Sequence, residues 1–230
     1  MAKLLQWVKL PSEWILDHGL KQMRWDQTVG ANNIAALMVF APILHRADPE
    51  SGLARMTYDE LVLATSLSRS KISDGLGVLD RMGLIEREPQ GRSTIQIRNF
   101  DPKGGWAKFP AQRLYGDGRI MFFDELHLRK IVELDALKLW YFLAARRDNS
   151  DNLAKATYDQ ISEITGIARV RLKSAISLLA ANMLVHVERI PTSTNDYGVA
   201  QAYRLPQIDS GRHMGTIGRG MTVYDDIEGI

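Results

Sequence analysis

The sequence predicts an α+β fold, mainly α with small β hairpins, in which one unit is used twice along 230 residues. Three observations predict it. The tripeptide TYD begins at Thr57 and recurs at Thr157. Around it, residues 53–88 overlay residues 153–188 without a gap. They are identical at Leu53, Ala54, Thr57, Tyr58, Asp59, Thr65, Arg69, Leu79, Leu84 and Glu88, and most other positions keep their apolar or polar character. Upstream, residues 34–48 overlay 134–148 in the same register, and WVKLP at Trp7 answers WAKFP at Trp106 with one residue of slippage. A period of this length exceeds the roughly 20 to 50 residues of a solenoid repeat and suits a small domain.

Each copy opens on an apolar run, 31–47 and 132–147, with the spacing of a helix buried on one face. Pro42 is expected to kink the first. TYD then acquires a physical reason. Thr57 and Thr157 are good N-caps, and Glu60 or Gln160, three residues on, can return a hydrogen bond to the cap's own N–H, forming a capping box. The tyrosines anchor that short helix to the core. Ser66 and Gly166 follow where the chain must turn sharply, a left-handed position that suits glycine. In the next helix Ile72, Leu76 and Leu79, or Leu172, Ile176 and Leu179, make one inward stripe at i, i+4 and i+7. A strand-like run, a turn and a second strand close each copy. The turn is Pro89-Gln90-Gly91 in the first and a longer tip at 191–198 in the second. The order is helix, short helix, turn, helix, hairpin.

Composition narrows the class. Hydrophobic residues make up 45%, enough for two modest cores, and there is no cysteine for disulfides or thiolate metal sites. The N-terminus lacks an uninterrupted apolar signal region, and no stretch approaches the roughly 18 apolar residues of a membrane span, so a cytoplasmic protein is expected. The net charge of +2 is only mildly basic, so any nucleic-acid surface must come from local clustering. The histidines at 18, 45, 127, 186 and 213 are scattered, without ligand spacing, and no metal or cofactor is expected. GDGR at Gly116 and GRG at Gly218 lack the Lys-Ser or Lys-Thr of a phosphate loop. A non-enzyme is expected. Trp140, Tyr141, Phe122 and Phe123 are read as core.

Two stretches carry a resemblance. TYDQISEITGIARVRLKSAISLLAANMLV resembles the helix-turn-helix of bacterial winged-helix domains. SLSRSKISDGLGVLDRMGLIERE is similar, with a serine cap, an Arg-Ser-Lys start, a leucine stripe and an exit into the wing. The resemblance covers residues 34–100 and 134–205; residues 7–30 and 106–131 match each other but no named motif. It implies two tandem winged-helix domains related by internal duplication, at 1–100 and 101–206, followed by a flexible tail at 207–230. Two such domains without a ligand-binding domain are also similar in layout to plasmid and phage replication initiators.

The resemblance implies that the third helix of each copy enters a DNA major groove by its N-terminal end while the wing follows a phosphate backbone. Candidate DNA-binding residues are Arg69, Ser70, Lys71 and Ser73 with Arg92 in the first copy, and Arg169, Arg171, Lys173 and Ser174 with Arg189 in the second. Arg169 and Arg171 are the first choice for base edges, because arginine binds guanine in a bidentate manner. Replacing both by alanine is expected to abolish site preference and leave folding intact. Asp74, Gly75 and Gly77 make the first copy a weaker reader, or a surface for a homodimer partner or for tight packing. The linker at 99–105 is too short to let the halves roam. The expected activity is sequence-specific binding of double-stranded DNA, as a replication initiator or transcriptional regulator of a plasmid, phage or other mobile element, with a host replication or transcription protein as a second partner. The alternative, from a different class, is a protein-interaction module of the chromosome-segregation, condensin-accessory kind.

Overall fold

A computed structural model describes residues 4–191 and 199–208; the hairpin tip at 192–198 and the tail from 209 lie outside the described residues. Each half is mixed α and β. The first half begins with β1 (Trp7–Pro11), α1 (Glu13–Leu16) and α2 (Gly19–Gln22), followed by the long α3 (Gly30–Arg46). Then come β2 (Leu53–Arg55), α4 (Tyr58–Thr65), α5 (Arg69–Arg81), β3 (Ile85–Arg87) and β4 (Thr94–Ile97). The second half repeats this with β5 (Trp106–Pro110), a short two-stranded turn of β6 (Tyr115–Gly116) and β7 (Arg119–Ile120), α6 (Ile131–Arg146), β8 (Leu153–Lys155), α7 (Tyr158–Thr165), α8 (Arg169–Ala181), β9 (His186–Pro191) and β10 (Val199–Arg204). The three-stranded sheets have matching orders, β2-β4-β3 and β8-β10-β9, all antiparallel. The strands β2 and β8 add a third strand to each expected hairpin.

Local grammar behaves as its chemistry dictates. Thr57 Oγ1 accepts from the Glu60 N–H at 3.2 Å and the Glu60 carboxylate accepts from the Thr57 N–H at 2.8 Å. Thr157 and Gln160 repeat the box at 3.2 and 2.9 Å. Ser66 and Gly166 both take the left-handed conformation, at φ 58° and 71°. The expected kink at Pro42 does not break α3, which runs unbroken through it. Burial of nearly the whole helix from Asn33 to His45 offsets the roughly 3 kcal/mol that an interior proline costs. The stripe residues of α5 and α8 are buried as expected.

The two halves share a hydrophobic core, so a boundary at 100/101 divides the sequence repeat and not the core. The strands β1 and β5 pair antiparallel with Lys9 opposite Lys108, Val8 opposite Phe109 and Leu10 opposite Ala107. Alternation turns Val8, Leu10, Ala107 and Phe109 inward. On the outer face Trp7 stacks on Trp106 at 5.9 Å, while Lys9 lies over Trp106 and Lys108 over Trp7. Above this ribbon α3 meets α6: the Tyr141 hydroxyl donates to the Leu37 carbonyl at 2.9 Å and Phe40 stacks on Tyr141.

The leading segments are exchanged between the halves. From the first leader, α1 and α2 pack on α6 and α7, and buried Lys138 donates to the Met23 carbonyl at 3.1 Å. From the second leader, β7 packs on α4, and the Ser66 hydroxyl donates to Asp124 at 2.9 Å. Trp140, Tyr141, Phe122 and Phe123 are core residues, as expected. The expected tail at 207–230 starts too early. Gln207 and Ile208 are buried, with Asn152 Nδ2 donating to the Leu205 and Ile208 carbonyls.

Candidate nucleic-acid interface

The exposed starts of α5 and α8 hold most of the candidate residues. In α5, Ser68 caps the helix by accepting from the Lys71 N–H. Arg69, with 64% of its side chain exposed, reaches back to Asp59 at 2.5 Å. In α8, Arg169 makes the equivalent pair with Asp159 and is equally exposed. Residues 59 and 69 are identical in both copies, and the pair explains why: it ties the start of one helix to the start of the next across the turn. Such an exposed pair contributes only about 0 to 1 kcal/mol, so both guanidiniums can exchange a carboxylate for a phosphate at little cost.

Arg171 is different. Its Nε donates at 2.7 Å to Asp135 of α6, whose side chain is only 3% exposed. Without Arg171 that carboxylate would be buried with no opposite charge in contact, a strongly destabilising state. The expectation that Arg169 and Arg171 can be removed together without harm to folding therefore fails at Arg171, which is a structural partner first. Lys138, one turn along α6, has its ammonium pushed down to about 8 by burial. Lys71 is also committed, donating to Asn32 at 2.8 Å and pairing with Asp74 at 3.0 Å.

Ser70, Ser73, Arg92, Lys173, Ser174 and Arg189 are exposed and have no hydrogen-bond or ion-pair partner among the described residues. Arg92 sits at the tip between β3 and β4, beside Gly91 at φ 93°, and the tip is held by Thr94 Oγ1 donating to the Gly91 carbonyl. Arg189 lies on β9, opposite Gln201 of β10. The structure thus separates the ten candidates into six open groups and four with protein partners.

Sequence reasoning missed Asp59, Asp159 and Asp135 as partners of the arginines. For the first two a signal existed, the joint recurrence of Asp and Arg ten residues apart. Asp135 had none, because its contact spans α6 and α8. It also missed Val170, whose apolar side chain stands 89% exposed in the first turn of α8. Gly75 is explained by packing: a Cβ there would come within 2.8 Å of the Ala35 backbone of α3.

Among the described residues no cluster of His, Asp or Glu gathers at metal-binding distance, and no helix is long and apolar enough to cross a membrane. No protein-family model, curated protein or solved structure matches the chain.

Proposed function

We propose that the chain is a sequence-specific double-stranded-DNA-binding protein made of two winged-helix units that arose by internal duplication. One observation carries the reading. Both halves share the order helix, strand, helix, helix, strand, strand, with the hairpin's last strand central in each sheet, and both expose the start of the third helix with polar and cationic side chains. In such a unit the third helix enters the major groove and the hairpin follows the backbone. Lys173, Ser174, Ser70 and Ser73 are open for base edges, Arg92 and Arg189 for phosphates, and Arg69 and Arg169 are released from their aspartates on contact. The layout favours an initiator of replication on a mobile element over a promoter regulator; binding to repeated short sites rather than one operator separates these roles.

The carboxylates beside the third-helix cations favour a second reading, a protein-interaction module of the chromosome-segregation kind. Asp59, Asp159, Asp135 and Asp74 neutralise Arg69, Arg169, Arg171 and Lys71 in the free protein. Fluorescence anisotropy with duplex DNA at low and moderate salt decides. A DNA binder loses affinity with a log–log slope of about 0.9 per phosphate neutralised. Lys173→Ala, which breaks no contact, is expected to weaken binding about 5- to 10-fold, the effect of roughly 1 kcal/mol. Absence of binding at low salt supports the second reading.

A further inference from the structure

We propose that a cleft at the end of α3 binds a small organic monoanion, a carboxylate carried on an aliphatic body. The inference stands apart from DNA binding and does not depend on it.

The cleft has a volume of about 670 Å³, within the roughly 300 to 1,000 Å³ of small-molecule sites. Three segments build it: residues 4 and 5 ahead of β1, the end of α3 with the turn that follows, and β2. Backbone hydrogen bonds hold the walls. The Asp48 N–H donates to the Leu53 carbonyl, and the Gln112 N–H donates to the Leu5 carbonyl, both at 3.0 Å. Between them Leu4, Leu5, Ala47, Pro49 and Leu53 make an aliphatic lining without Phe, Tyr or Trp. Leu5 is 62% exposed, so an alkyl chain laid against it releases water from apolar surface.

The charges select the headgroup. Arg46 and Arg55 both line the cleft. Among the described residues neither has an ion-pair partner, and Arg55 has a long hydrogen bond of 3.4 Å to Gln90 Oε1. Glu60, whose carboxyl is held low chiefly by the Thr57 N–H and more weakly by Arg46, has its Oε2 on the Thr57 N–H and hydroxyl. Asp48 is the one carboxylate in the lining, and its Oδ1 accepts from the N–H groups of Glu50 and Ser51 and from the Ser51 hydroxyl. His45 adds no hydrogen-bonding capacity, since its buried ring has Nε2 on the Pro110 carbonyl and Nδ1 on the Tyr115 hydroxyl. Two guanidiniums against one carboxylate leave the lining one positive charge in excess, which matches a monoanion better than a phosphate dianion. A guanidinium holds a carboxylate by two parallel hydrogen bonds.

The second half occupies the same corner with its own side chains. Arg147 stands where the first half has Ala47, in nearly the same backbone conformation, φ −64° and ψ 128° against −67° and 137°. Its buried guanidinium donates to the Asp148 carbonyl and to Asn149 Oδ1. Pro49, the counterpart of Asn149, has no side-chain amide to receive such a group. Leu153 is fully buried, whereas its counterpart Leu53 is half-buried in the cleft wall.

Saturation-transfer NMR titration of the full chain with octanoate tests this, with octanamide and acetate separating charge from chain. Octanoate is expected to bind with a Kd on the order of 0.1 to 1 mM, and octanamide and acetate about tenfold more weakly or less tightly still. Arg46→Gln is expected to bring octanoate to the level of octanamide while leaving octanamide unchanged, a selectivity that general loosening of the fold would not produce. Ala47→Trp, which fills the cleft, is expected to remove binding of both, with thermal unfolding showing that the variant is folded. Absence of octanoate binding, equal affinity for octanoate and octanamide, or octanoate binding untouched by Arg46→Gln overturns the inference. Hexyl phosphate binding more tightly than octanoate overturns the choice of a monoanion.

Discussion

His45 shows how far one side chain departs from what its residue type suggests. It is fully enclosed, with Nε2 donating to the Pro110 carbonyl at 2.9 Å and Nδ1 therefore accepting from the Tyr115 hydroxyl at 2.8 Å. Burial pushes the imidazole down to about 3 from its ordinary 6.5, so it is neutral in the fold. Between those two values the unfolded chain binds a proton that the folded chain does not, so stability falls as pH falls from about 6.5. Urea unfolding at pH 7 and 5.5 is expected to show wild type losing about 1 kcal/mol more than His45→Gln. An equal loss in both would mean that the ring does not stay neutral. The apolar run 31–47 sets His45 apart from the exposed His18 and His127, but no local pattern shows its partners, which come from the far end of β5 and from Tyr115 of β6. The same holds for Arg171, read from sequence as a free cation and found paired with a buried carboxylate.

Among the elements, α5 and α8 carry the contrast best. Gly75 lets α5 approach α3 until backbones nearly touch, and α8 has Ala175 in the same place, fully buried. Gly77 has only the flexible end of Arg81 nearby, at 3.3 Å from where a Cβ would sit. Gly77→Ala is therefore expected to stabilise the protein by up to about 1 kcal/mol, the propensity gain. Gly75→Ala, with the same propensity gain, is expected to destabilise it by about 1 to 2 kcal/mol through overpacking against α3. Thermal denaturation of the two variants checks the pair, and equal shifts would show that the α3–α5 approach is not tight. Helix caps, stripes and turns were legible because each depends on residues within four or five positions. The strands β2 and β8 were not, because a three-residue strand carries too little pattern and exists only by pairing with the hairpin. The two leaders were seen as a repeat without a role, since their partners lie in the opposite half.

At the scale of the whole molecule the repeat has become a pair that neither half completes alone. Each leader covers the other half, the β1–β5 ribbon joins them, and one core runs through both. Unfolding is therefore expected as a single cooperative transition, with calorimetric and van't Hoff enthalpies equal for the whole chain. Two resolved transitions would mean that each half is stable on its own. Gly75 spends its close approach on α3 within the chain, so tight packing accounts for that glycine.

The sequence by itself determined the internal repeat of pattern, the order of the main elements, their caps and inward stripes, and the placement of cations at two helix starts, because all of these rest on local spacing. Only the tertiary structure decided which cations have a carboxylate partner, Arg171 on buried Asp135 among them, and which have none among the described residues. It alone also showed that β1 and β5 pair antiparallel and that each leader packs on the opposite half. Those features depend on contacts between residues dozens to more than a hundred positions apart, and a periodic pattern carries no information about what its faces meet.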